Sequence, residues 1–138
     1  MIEIFVQSRY KVGRNFLRKR TQEFLKRVGV NPEEYTVSIA IIGDRKMAEI
    51  HEMYMKKPGT TPVLSFPLMS GKPRLASRID KKYLANYRAG KTDGTTLLGE
   101  VIISYPQTLI FASDENKLVD VKLAEFIEHG LTKLLTTT

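Results

Sequence analysis

Along this chain the spacing of apolar positions changes from segment to segment, and each change predicts an element. Ile2 to Val6 is short, β-branched and aromatic, which suits a first strand. From Arg14 to Val28 the apolar residues Phe16, Leu17, Phe24, Leu25 and Val28 recur at helical spacing with cations between them, and Gly29 is placed to stop that helix. Asn31-Pro32-Glu33-Glu34 reads as a turn. Tyr35 to Ile42 is a buried-strand pattern ended by Gly43, and Asp44 is placed to cap a second helix through about Met53, with Met47, Ile50 and Tyr54 on one stripe. The run Lys56 to Pro62 is a loop by composition. It leads into Val63 to Pro67, a strand bounded by prolines and therefore suited to a sheet edge, where a missing N–H interrupts no ladder.

Residues 68–97 carry many cations and little periodicity, apart from a short helical pattern near Ile79 to Tyr87. The segment reads as a long loop, and such loops are usually functional or mobile. Leu98 to Ser104 is a further strand and Pro106 opens a helix, with Asp114-Glu115-Asn116 marking either its end or the start of the next. From about Leu118 the residues Val119, Leu123, Phe126, Ile127, Leu131, Leu134 and Leu135 share one face of a terminal helix that faces the core, and Thr136 to Thr138 reads as a fraying end. Strands interleaved with helices predict an α/β (α+β) fold, with a small mixed sheet of about four strands packed against about four to five helices. At 138 residues the chain is expected to form one domain, residues 1–138.

Composition narrows the function. Hydrophobic residues make up 42% and charged residues 27%, so a folded globular chain is expected rather than disorder. No apolar run approaches the length of a membrane span, and Glu3 stands where a secretory signal would carry lysines, so a cytoplasmic protein with no membrane partner is expected. With no cysteine there is neither a disulfide nor a thiolate metal site. Only His51 and His129 offer imidazoles. The net charge of +7 is concentrated in two stretches, Arg9 to Arg27 and Lys72 to Lys91. A positive surface releases counterions from phosphate backbones, which makes nucleic acid the first partner to consider, and a solvated helix face accounts for the same charges equally well.

Three segments in order carry a more specific signal. Thr61-Pro62-Val63-Leu64-Ser65-Phe66-Pro67 is similar to the T-D-V-L-S-F-P strand of the YbeY-type rRNA maturation endoribonucleases. Leu98-Gly99-Glu100-Val101-Ile102-Ile103-Ser104 resembles that family's L-G-D-I-x-I-S strand, and His129-Gly130 resembles the opening of its H-G-x-x-H-x-x-G-x-D-H metal motif. The resemblance covers nearly the whole chain. It implies a YbeY-like fold, a zinc cofactor, ribosomal RNA as substrate and the small ribosomal subunit as partner.

The residues that would hold the metal are largely replaced. Histidines four apart share a helix face and can grip one ion. Here the second ligand position is Lys133, the glycine position is Thr136, and the third ligand would fall one residue beyond Thr138. His129 is a vestigial ligand or, more simply, a helix residue paired with Glu125. Gly130 implies either close packing against a strand or inheritance from the metal motif. Lys133 is either a surface lysine or an ammonium in the former metal position, and Glu100 is either a functional carboxylate or a solvent-facing or capping acid. His51 is expected to meet His129 only by coincidence of folding. The family's arginine becomes Met55, in Tyr54-Met55-Lys56-Lys57, and the strand's acid becomes Pro62. Candidate RNA contacts are Lys56, Lys57, Lys133, Arg74 and Arg78. The resulting expectation is an RNA-binding factor in rRNA maturation or ribosome assembly, with zinc unbound and hydrolysis lost or weak. The alternatives are an active zinc-dependent single-strand endoribonuclease, and a shortened or divergent chain whose ligands come from a partner.

Overall fold

The computed structural model describes residues 1–67 and 96–136. Among these residues there are four strands, β1 (Ile2–Val6), β2 (Tyr35–Ile42), β3 (Val63–Pro67) and β4 (Thr96–Ser104), and four helices, α1 (Arg14–Arg27), α2 (Asp44–Met55), α3 (Tyr105–Asp114) and α4 (Val119–Thr136). Of the segment read as a long loop with a short helix, residues 68–95 lie outside the described residues, Arg74 and Arg78 among them, and its last two residues belong to β4.

The strands form one mixed sheet in the order β1-β2-β4-β3, with β1, β2 and β4 parallel and β3 antiparallel on β4. The proline-bounded strand is at an edge, as expected, so its prolines interrupt no central ladder. β4 begins two residues earlier than the apolar pattern suggests because Thr96 and Leu97 pair with Tyr35 and Thr36. Leu98 is then skipped in the register as Val37 pairs with Gly99. That bulge needs glycine: Gly99 has φ +156°, and a Cβ there would lie 2.5 Å from the Phe66 carbonyl oxygen on β3.

Alternation along β2 and β4 gives the sheet two buried faces. Ile39, Ile41, Val101 and Ile103 pack under α1 and α4 with Leu17, Leu25, Leu123, Ile127 and Leu131. Ala40, Ile42 and Ile102 pack under α2 with Met47 and Ile50. Several stripe positions fall outside these layers. Phe16, Val28 and Tyr54 are exposed, because each helix has one sheet-facing side and these lie beyond its width.

The start of α2 differs from expectation. The residue that caps α2 is Gly43, and Asp44 is its first helical residue. Instead of capping, Asp44 Oδ1 accepts hydrogen bonds from Thr60 Oγ1, Ser104 Oγ and Gln107 Nε2 at 3.1, 3.3 and 2.9 Å. α3 is capped by Ser104, whose Oγ accepts from the Gln107 N–H, with Pro106 in the first turn as expected. Asp114-Glu115-Asn116 closes α3, with Asn116 in the left-handed region at φ 56°.

Candidate RNA-binding cleft

α4 places Lys122, Phe126, His129 and Lys133 along one side at spacings of three and four residues. They face the start of β3, where Thr61, Pro62 and Val63 form the other wall of an open cleft of about 340 Å³. The helix lies close to the sheet because residue 130 has no side chain. A Cβ at Gly130 would sit 2.5 Å from Val101 Cγ1 and 3.0 Å from Ser65 Oγ. Ser65 Oγ also donates to the Gly130 carbonyl at 2.8 Å, tying the cleft's helix to its strand. Of the two reasons for this glycine, close packing against strands is therefore sufficient.

The cleft's charges are organised by a cross-braced network. Lys117 Nζ donates to both oxygens of Glu125 at 2.9 Å, and Lys122 Nζ reaches the same carboxylate at 3.3 Å. Both lysines also pair with Glu115, at 3.2 and 2.9 Å. Hydrogen bonding from Lys117 first, and then from Lys122, holds the Glu125 carboxyl below the usual carboxylate range. Glu115 is lowered in the same way, by Lys122 first and Lys117 second, and Lys117 is raised chiefly by Glu125. Lys122 Nζ also lies 4.7 Å from the Phe126 ring centroid, and Phe126 meets Phe111 edge to face at 5.6 Å.

This network removes the partner expected for His129. Glu125 is taken up by two ammonium groups, and among the described residues no hydrogen bond or ion pair joins it to His129, which is exposed. Nor do the residues present fit zinc as the family motif would hold it. His129 is followed one turn later by Lys133, a protonated amine that cannot ligate and that repels a cation, and Glu125 is already neutralised. Among the described residues no group of three histidine or carboxylate side chains converges.

The remaining candidates lie elsewhere. His51 is on α2, on the opposite face of the sheet from α4, so the two histidines do not meet. It is 8% exposed, with Nδ1 buried and without a hydrogen-bond partner among the described residues, and its ring packs beside Gly59. Glu100 is 5% exposed, which overturns its reading as a solvent-facing acid. Because Val101 points toward α4, strand alternation turns Glu100 to the α2 side and away from the cleft. Lys56 and Lys57 are exposed in the turn after α2 and do not line the cleft. Lys56 has φ 57°, a left-handed conformation. Sequence reasoning missed Lys117 and Lys122. Lys117 is eight residues from Glu125, a spacing no single helix brings together, and it reaches the carboxylate only through the turn between α3 and α4. Lys122 and Phe126 do sit at i and i+4, a readable signal, but Phe126 was assigned to the core alone.

The family model described as Endoribonuclease YbeY matches residues 4–136. The chain belongs to the YbeY family. A YbeY endoribonuclease from Thermodesulfovibrio yellowstonii is 29% identical over 131 residues, covering 94% of this chain and 70% of the relative. One from Dehalococcoides mccartyi strain CBDB1 is 32% identical over 136 residues, covering 97% and 78%. The solution structure of TM1509 from Thermotoga maritima superposes with a TM-score of 0.56 at 18% identity, over 97% of this chain and 71% of that one, which supports the fold. Within the YbeY family, then, this chain combines the expected sheet and helices with a cleft lined by lysines. No helix among the described residues is long and apolar enough to cross a membrane.

Proposed function

We propose that this YbeY-family chain binds single-stranded ribosomal RNA in the α4–β3 cleft and acts in rRNA maturation or small-subunit assembly, with hydrolysis lost or weak. The observation that carries this reading is the cleft's electrostatic arrangement. Lys133 stands one helical turn beyond His129, and the cleft's carboxylate, Glu125, is neutralised by Lys117 and Lys122. An ammonium in this position attracts phosphate oxygens but neither ligates nor activates water. The imidazole of His129 and the half-buried rim at Thr61 and Pro62 add hydrogen-bonding and apolar surface for a nucleotide. Lys56 and Lys57 lie outside the cleft wall and serve as flanking cations in this reading.

Elemental analysis together with RNA binding tests it. The expected protein carries no stoichiometric zinc and binds a single-stranded rRNA fragment with an affinity that falls steeply as salt rises. Lys133→Ala reduces the magnitude of the slope of log K against log salt by about 0.7, the value for one phosphate contact on a single strand. Stoichiometric zinc with chelator-sensitive cleavage would establish the family's hydrolytic reading instead. Salt-independent binding would remove RNA as the ligand of this cleft.

A further inference from the structure

A second crevice opens where the chain leaves β1 and β2. α1 packs on one face of the sheet and α2 on the other, so the connections from these neighbouring strands diverge at their C-terminal ends. In open α/β sheets such a divergence leaves a crevice that ligands use. Here it encloses about 730 Å³, with Gln7, Arg9 and Tyr10 on one wall and Gly43, Arg45 and Lys46 on the other. Its floor is closed. The Gly43 N–H donates to Gln7 Oε1 at 2.9 Å, and a Cβ at Gly43 would already be 3.0 Å from the Tyr10 hydroxyl oxygen. Tyr10 is in turn stacked on Tyr105, with ring centroids 4.5 Å apart.

Four cations outside this crevice are committed to acids. Arg20 and Arg27 pair with Glu128, and Lys117 and Lys122 pair with Glu115 and Glu125. Arg9 and Arg45 make no ion pair among the described residues. Arg9 lies over the Tyr10 ring, 5.7 Å from its centroid, which orients its guanidinium beside the crevice. Two acids also line the walls: Glu49, and Asp44, which accepts from the neutral groups of Thr60, Ser104 and Gln107 through Oδ1 and keeps its charge, so the three cations Arg9, Arg45 and Lys46 outnumber the acids by one. Arginine's planar fork binds phosphate oxygens in pairs.

β3 runs antiparallel to β4, so its N-terminal end, with Pro62, lies beside the C-terminal ends of β2 and β4. The α4–β3 cleft and this crevice therefore open along the same edge of the sheet. Strands are spaced about 4.8 Å apart, so the two to three spacings between the openings set a minimum separation of roughly 10–15 Å, and because α4 and α2 cover opposite faces a strand filling both sites passes over the sheet edge. We infer that the β1–β2 crevice, through Arg9 and Arg45, is a second phosphate subsite for the RNA strand held in the α4–β3 cleft. This rests on the RNA reading of that cleft.

Anisotropy titrations of the full chain with oligouridylates of roughly 3 and 12 nucleotides separate the two sites, since only the longer strand can occupy both. For the double variant Arg9→Ala/Arg45→Ala the expected result is about tenfold weaker binding of the longer strand, a salt slope smaller in magnitude by about 1.4, and unchanged binding of the shorter one. Lys133→Ala should weaken both lengths. The control Lys11→Ala/Lys19→Ala removes the same charge from outside the crevice and should leave both affinities near wild type. Four outcomes would overturn the second subsite: wild-type affinity of the double variant for the long strand while Lys133→Ala weakens it, an equal loss for both lengths, an equal loss in the control, or, should circular dichroism show the alanine variant unfolded, wild-type binding of the long strand by a folded Arg9→Gln/Arg45→Gln variant. Failure of the unmodified protein to bind either oligomer in a salt-dependent way would instead remove the cleft reading and this inference together.

Discussion

Replacing Gly130 by alanine tests how α4 is seated on the sheet. The new Cβ would begin 2.5 Å from Val101 Cγ1. Non-bonded carbons rest about 3.5–4.0 Å apart, so something must move by about 1 Å or more. Val101 has little freedom to do so. It is fully buried, β-branched and paired with Ile39 on one side and Ser65 on the other. Overpacking of this kind costs about 1–3 kcal/mol. Displacing α4 also weakens the bond from Ser65 Oγ to the Gly130 carbonyl, worth about 0.5–1.5 kcal/mol. Against these losses stands a helix-propensity gain of about 1 kcal/mol for alanine over glycine. The balance is a loss of about 2 kcal/mol, within a range of about 0.5–3.5 kcal/mol. Urea unfolding reads it as a lower midpoint at unchanged m-value. Val101→Ala removes both methyl groups that collide, so in that background Gly130→Ala should be nearly neutral, giving a coupling of about 1–2 kcal/mol in the double-mutant cycle. A Gly130→Ala protein as stable as wild type, or no coupling to Val101, would refute the close-seating account.

Other expectations follow from single sites. Lys56→Gly relieves a left-handed residue at the end of α2 and should raise stability by about 0.5–1 kcal/mol in urea unfolding, with no change in RNA affinity beyond that of one flanking charge. Ser104→Ala deletes the α3 cap and one donor to Asp44, for an expected loss of about 1–2 kcal/mol by thermal or urea unfolding. Glu115 and Glu125 bind protons more weakly folded than unfolded, so the unfolded chain takes up more protons in acid and stability rises with pH there. The contribution of their lysine pairs is complete above the ordinary carboxylate value of 4.5 and is lost as pH falls below it. Glu125→Gln should flatten that acid limb of the melting temperature, and an unchanged limb would show that the Glu125 pairs contribute nothing.

The local elements were legible without coordinates because periodicity is a property of neighbouring residues. The β-branched run Tyr35 to Ile42, the three- and four-residue spacing from Val119 to Leu134 and the prolines flanking Val63 to Phe66 each constrain a few adjacent dihedrals, and each predicted its element. That Lys133 stands four residues after His129, where the resemblance implies a second histidine, is likewise a matter of spacing along one helix. Partners across the chain were not readable. Glu100 and His51 proved buried on the α2 side, because which face a strand residue joins depends on the helix that covers it. Glu125 was claimed by Lys117 through a turn rather than by His129 through a helix. Gly130 was explained only by Val101 and Ser65, 29 and 65 positions away in the chain. The crevice between β1 and β2 exists because two adjacent strands send their helices to opposite faces, and no local pattern encodes that divergence.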